Sequence, residues 1–203
     1  MNLKVKKAIA MMAAAMMLMS ATAAMAEEVT AVTTEAPIED AQVFPFYGSY
    51  TGTVKEVADR EDGSIFVTLE SETNGPTNFV VTKDTYRVND VEIKAGQTLI
   101  GFYESNRPMI MIYPPQYTIS IVAEVKDNLF VEADKFDEDL VNVDNTLKLN
   151  ISEDTEIVWE NGTQITWIKA PTAEELAQAI SNRKLVVLYD VTTRSIPAQT
   201  TPK

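Results

Sequence analysis

Residues 97–118 read QTLIGFYESNRPMIMIYPPQYT, and residues 183–201 read RKLVVLYDVTTRSIPAQTT. Leu99, Ile100, Phe102, Tyr103 and Glu104 align with Leu185, Val186, Leu188, Tyr189 and Asp190. After a turn three residues longer in the first copy, Pro114, Gln116 and Thr118 align with Pro197, Gln199 and Thr201. Upstream, with a gap, Phe79-Val-Val-Thr-Lys-Asp-Thr85 matches Leu149-Asn-Ile-Ser-Glu-Asp-Thr155, an alternating strand that ends in Asp-Thr both times. Such an internal repeat means one supersecondary unit used twice. The 203 residues therefore divide into two units of roughly 75–80 residues, each small enough that packing on its neighbour is expected.

Outward from the repeat, the first unit reads as five strands. Tyr50–Ala58 alternates as a strand, Asp59–Gly63 is a hairpin loop, and Ser64–Ser71 returns. Asn74-Gly75-Pro76 turns the chain into a third strand, Asn78–Val88, interrupted at Lys83-Asp84. Val91–Gly96 connects to the fourth strand, Thr98–Tyr103, and Gln116–Val125 is the fifth. A meander with a crossover before the fourth strand is the order of an OB-like barrel. In the second unit Leu129–Asp137 and Leu147–Ile151 read as the first two strands, and Glu156–Trp167 as a hairpin centred on Asn161-Gly162. Thr172-Ala-Glu-Glu175 is a capping box that starts a helix to about Ser181, between strands three and four.

The predicted fold class is thus all-β with minor α: two tandem OB-like five-stranded barrels, residues 47–126 and 127–203. The second is predicted to have an incomplete fifth strand, because Gln199–Lys203 stops where its counterpart Gln116–Val125 runs on. Three accounts of the vacant slot stand side by side. The natural sequence continues, the apolar run Val43-Phe-Pro-Phe-Tyr47 fills it, or a partner contributes a strand.

Met1–Ala26 has the form of a secretory signal peptide, with Lys4, Lys6 and Lys7, an apolar stretch, and Ala24-Met25-Ala26 before the cleavage point. Residues 27–46 are predicted to be a flexible acidic tail. Without the leader's three lysines, 14 basic residues stand against 30 acidic ones, a formal charge of −16. That field opposes nucleic acid and, once the leader is cleaved, an anionic membrane. The chain has no Cys and no His, which removes thiol chemistry, disulfides and the usual zinc ligands. The expected place is outside the cell or in the wall, with no cofactor and no metal.

The motifs Gly52-Thr-Val54, Gly96–Leu99 and the turn Tyr113–Gln116 resemble those of secreted Gram-positive bacterial proteins with tandem OB-like domains of unknown function. Domains of that kind are also found beside copper-amine-oxidase-like N-terminal stalk domains. The resemblance covers roughly residues 50–203 and implies a non-catalytic role at the cell surface. It carries no catalytic residues.

The acidic run around Asp134, Asp137, Glu138, Asp139 and Asp144 lacks the Asp-x-Asp-x-Asp-Gly spacing of a calcium loop and reads as a solvated hairpin. Pro114-Pro115 reads as a stiff turn into the fifth strand, of the sort that accommodates a cis bond. Alternation across the Asn161-Gly162 hairpin, with the repeat alignment, places Val158 and Trp167 inward and Ile157 and Trp159 outward. An outward Trp is a lid over the junction of the units or a stacking platform for a sugar or peptide. Trp159, Ile157 and Tyr113 are the candidate ligand-binding residues, and the candidate partners are a protein, peptide or glycan at the cell surface. A structural spacer presenting a neighbouring domain is the alternative, followed by a hydrolase using carboxylates alone.

Overall fold

The computed structural model describes residues 44–159 and 170–203. The segments expected to be a signal peptide, an acidic tail to Val43 and a hairpin tip with Trp167 lie outside the described residues.

Five strands close a barrel: β1 (Tyr47–Asp59), β2 (Ile65–Ser71), β3 (Gly75–Arg87), β4 (Thr98–Glu104) and β5 (Gln116–Glu124). Their order round the barrel is β1-β2-β3-β5-β4, and β4 returns to β1. The meander β1-β2-β3 is antiparallel, β3 and β5 are parallel, and β5 and β4 antiparallel, the order expected for the first unit. Gly63, at φ 78°, supplies the left-handed turn residue between β1 and β2. Period-two alternation fills the interior, with Tyr50, Val54, Val67, Leu69, Phe79 and Leu99 in one buried cluster.

Gly101 is required in that interior. A Cβ placed on it would lie 2.6 Å from the Phe79 ring and 3.0 Å from Ile119 Cδ1, so the Phe79 ring takes the volume that a side chain on β4 would need. Tyr50, which pairs with Gly101 across the ladder, stands edge-on to Phe79 at 6.0 Å.

The second half holds two two-stranded sheets and one helix among the described residues. β6 (Phe130–Lys135) pairs antiparallel with β8 (Lys184–Tyr189), and β7 (Leu147–Leu149) pairs parallel with β9 (Ala198–Thr200). α1 (Ala173–Ile180) opens with the expected capping box. The Glu175 amide donates to the Thr172 hydroxyl, and the Glu175 carboxylate accepts from the Thr172 amide at 2.8 Å. Leu176 and Ile180 are its buried side.

The aligned residues recur in equivalent pairings. Asn78 and Phe79 face Gln116 and Tyr117 across β3 and β5, while Lys148 and Leu149 face Gln199 and Thr200 across β7 and β9. Tyr113-Pro114 and Ile196-Pro197 are both cis. The Thr82 amide donates to the Thr85 hydroxyl at 2.9 Å, and the Ser152 amide to the Thr155 hydroxyl at 3.1 Å.

Two expectations are corrected. The segment read as the second strand of unit two, Leu147–Ile151, supplies β7, whose parallel partner puts it in the place of β3. Only the isolated bridges Phe136–Asn142 and Val141–Lys148 remain where a second strand would lie. The run ending at Tyr47 does not fill the slot of a fifth strand. Tyr47 opens β1 opposite Glu104, and Phe46 docks on the second half, donating its N–H to Asp134 Oδ1 at 2.8 Å.

β4 and β5 are apolar on both faces. Leu99 and Ile119 point into the barrel, whereas Ile100, Phe102, Ile121 and Ala123 point out and meet Val131, Ala133, Val186 and Leu188 of the β6–β8 ribbon. The opposite face of the ribbon covers a second core around Phe136, Leu147, Leu149, Ile180 and Val187. In the repeat alignment Ile100 corresponds to Val186 and Phe102 to Leu188, so the two halves meet through equivalent positions.

Gly101→Ala is expected to destabilise the fold by about 1–3 kcal/mol through overpacking, a fall of several degrees in melting temperature. Adding Phe79→Leu is expected to recover part of that loss. Thermal melts of the two single variants and the double variant measure the coupling.

Candidate functional site

A cleft of about 790 Å³ opens where the outer face of the barrel turns away from the second half. Its barrel wall includes Tyr47, Tyr86 and Ile121. Its opposite wall includes Ile151, Ile157 and Trp159, with β8 along the floor and Pro202-Lys203 at one end. β1, β3 and β5 position the first set, whose side chains border the layer shared with the β6–β8 ribbon. The Asp154-Thr155 turn positions the second set, since Thr155 is buried and fixes the chain leading to Ile157.

Of the three candidate residues, the cleft brings together two. Trp159 is 48 % exposed on its rim, with the Arg183 guanidinium 5.7 Å from the ring centroid, inside the range of a cation–π contact. Ile157 lines the cleft and packs against the second core. Tyr113 is 82 % exposed in the β4–β5 connection and is not part of the lining. The inward and outward assignment made from alternation is corrected here: Val158 is exposed and Ile157 is half-buried. Residues 156–159 make no extended ladder, only a bridge at Val158, so period two does not govern them.

The charged groups at the cleft are largely paired. Glu104 accepts from Arg107 Nε at 2.7 Å and lies 3.7 Å from Lys184 Nζ, while Lys184 also sits 4.0 Å over the Phe46 ring. Lys203 pairs with Asp190.

The sequence-based reading missed a second feature. β6 carries Glu132 and Asp134 on the face that leads to Phe136 and the second core. In the pairing register Glu132 faces Val187 as Tyr50 faces Gly101, and Asp134 faces Leu185 as Gly52 faces Leu99. Two carboxylates thus occupy positions that are interior in the barrel. Asp134 is 1 % exposed, and its Oδ1 accepts from the amides of Phe46 and Lys135, both at 2.8 Å. Among the described residues its buried Oδ2 has no hydrogen-bond partner. Burial is the main cause that raises the Asp134 carboxyl, and burial likewise pushes Glu132 up to about 7. The repeat alignment, carried from β8 through its pairing to β6, was the signal that would have found this pair.

The other acids of that segment organise turns. Asp137 Oδ1 accepts from the amides of Asp139 and Val141, both at 2.9 Å, and Asp144 Oδ1 accepts from the Thr146 hydroxyl at 2.7 Å. Among the described residues no three acidic side chains are arranged to hold a metal ion, and no helix is long and apolar enough to cross a membrane. No protein-family model matches the chain, and no curated protein matches it in sequence.

Stability is expected to depend on pH in a defined direction. Groups whose carboxyl values are raised on folding stabilise the fold below their ordinary range and lose that contribution as pH rises through the folded value. For Glu132 the window runs from about 4.5 to about 7. The protein is therefore expected to melt higher at pH 5 than at pH 8. Glu132→Gln, which mimics the neutral acid, is expected to gain about 1–3 kcal/mol at pH 8 and little at pH 5. Melting curves of both proteins at the two pH values test this.

Proposed function

We propose that the protein is a secreted, non-catalytic binding module of the cell surface that holds a peptide or glycan chain in the cleft beside Trp159. The observation that carries the proposal is the cleft itself, walled by aromatic and aliphatic side chains from both repeats, interspersed with polar and charged ones such as Asp84, Arg107 and Lys184, and edged by a half-exposed Trp. A concave site that mixes apolar walls with polar groups that fix orientation is the usual form of a ligand site. Amphipathic rings suit polymers that present alternating apolar and hydrogen-bonding faces. The absence of Cys and His from the whole chain supports binding over chemistry.

The same proposal takes the second half as a reduced copy of the OB-like unit. Its pairings β6 with β8 and β7 with β9 stand where β1 with β4 and β3 with β5 stand in the barrel, and α1 lies between the equivalents of strands three and four. OB-like barrels commonly bind extended polymers across their strands. A spacer that merely presents another domain has no use for an open cleft edged with an aromatic side chain.

Intrinsic Trp fluorescence during titration with wall fragments, oligosaccharides and short peptides is the test. One class is expected to shift the emission saturably and to raise the melting temperature, by about 2.7 kcal/mol of added stability at a hundred times the dissociation constant. Trp159→Ala is expected to abolish the emission change and weaken binding at least tenfold, while Tyr113→Ala leaves it unchanged. Silence across the panel, with a sharp melt, would overturn the reading in favour of the spacer.

A further inference from the structure

Among the described residues, β6 pairs along one edge of β8 and no strand pairs along the other. The Phe136 amide donates to the Arg183 carbonyl at 2.9 Å, which fixes residues 183, 185, 187 and 189 as the ones that bond to β6 in the antiparallel register. The N–H and C=O groups of Lys184, Val186 and Leu188 therefore turn to the other side. There the Leu188 carbonyl accepts from the Lys203 amide at 2.9 Å. Among the described residues, the outward backbone groups of Lys184 and Val186 have no backbone partner.

The first repeat shows what belongs on such an edge. The equivalent residues of β4, Thr98 to Phe102, are covered by β5. Leu99 through Phe102 pair with Glu124 through Ile121, and the Val125 amide donates to the Thr98 carbonyl at 2.9 Å. Side chains of β5 alternate, with Ile121 and Ala123 on the layer between the halves and Val122 in the barrel interior. In the second half Leu185, Val186 and Leu188 are only half-buried and line the cleft. Beside Val187, on the interior side, lies Glu132, a carboxylate burdened by burial. A bare strand edge flanked by half-covered apolar side chains is a template for another strand.

We propose that the outer edge of β8 at Lys184–Val187 accepts an extended peptide strand from a partner protein, running antiparallel to β8 as β5 runs to β4. The proposal rests on the reading of the cleft as a ligand site and names its ligand as a peptide held by backbone pairing. The recognised segment has at least four residues with no Pro. Small or branched apolar side chains sit at alternate positions, toward Val186 and Leu188. This is strand addition, in which main-chain hydrogen bonds supply affinity and alternate side chains supply selectivity. The cleft gives such a strand room beside Lys184–Leu188.

A peptide of sequence TISIVAEV, copied from residues 118–125, serves as the probe, with an analogue N-methylated at alternate amides as control. Titration of the isotope-labelled protein, followed by amide hydrogen exchange, reads the pairing directly. The peptide is expected to bind saturably and to slow exchange of the Val186 amide at least tenfold. The Val187 amide, already bonded to β6, is expected to change little, and the N-methylated analogue to bind at least tenfold more weakly. Equal binding of the two peptides, or binding without protection of Val186, would overturn strand addition. If an oligosaccharide shifts Trp159 emission while the peptide leaves Val186 unprotected, the strand proposal fails and the cleft reading stands. If neither ligand has any effect, both fail.

Discussion

A strand that is apolar on both faces has to be covered twice, and β4 is such a strand. Its inward residues, Leu99 and Tyr103, with the space left by Gly101, close the barrel core. Its outward residues, Ile100 and Phe102, are buried against Val186 and Leu188. Phe102 is 1 % exposed, so removing the second half would uncover one of the largest buried side chains of the barrel. Full burial of such a side chain is worth about 1.5–3 kcal/mol in transfer alone. The layer of outward residues joins barrel and ribbon into one compact unit, and the cleft forms where that layer ends.

The packing has the character of an isologous interface within a single chain. Equivalent strands of two repeats supply equivalent residues to one layer. The two repeats have nonetheless diverged at their interiors. Where the barrel has Tyr50 and Gly52, the second half has Glu132 and Asp134. Asp134 carries a specific task, because it holds the Phe46 amide and so ties the start of β1 to the second half. Burial pushes Glu132 up to about 7. A half-buried carboxyl near neutrality reduces stability at pH 8 and is a feature that functional sites commonly retain.

Much of this was legible in the sequence, and the reasons are local. The alignment of Leu99–Tyr103 with Leu185–Tyr189 could be read because both stretches are apolar at consecutive positions. The Thr172–Glu175 capping box could be read because its hydrogen bonds span three residues. The Pro at 114 and 197 stood in matching turns for the same reason. What could not be read depended on pairing. Leu147–Leu149 looks like any short alternating strand, and only its parallel partner Ala198–Thr200 assigns it to the third place. Ile157 and Val158 exchanged faces because their segment is held by a turn and a single bridge rather than by a ladder. Of the candidate site, Trp159 and Ile157 were visible as apolar residues near a turn, but Glu132 was hidden, since a Glu on an alternating strand looks solvent-facing until β8 supplies the register.

If the outward layer of β4 and β5 is what unites the halves, barrel and ribbon should unfold together. Differential scanning calorimetry of the protein at pH 5, below the value of about 7 to which burial pushes Glu132, measures this most directly. The account predicts one endotherm whose calorimetric and van't Hoff enthalpies agree, as in a single cooperative unit. Two resolved transitions, or a calorimetric enthalpy about twice the van't Hoff value, would show that the halves are stable apart and that the Phe102–Leu188 layer does not join them.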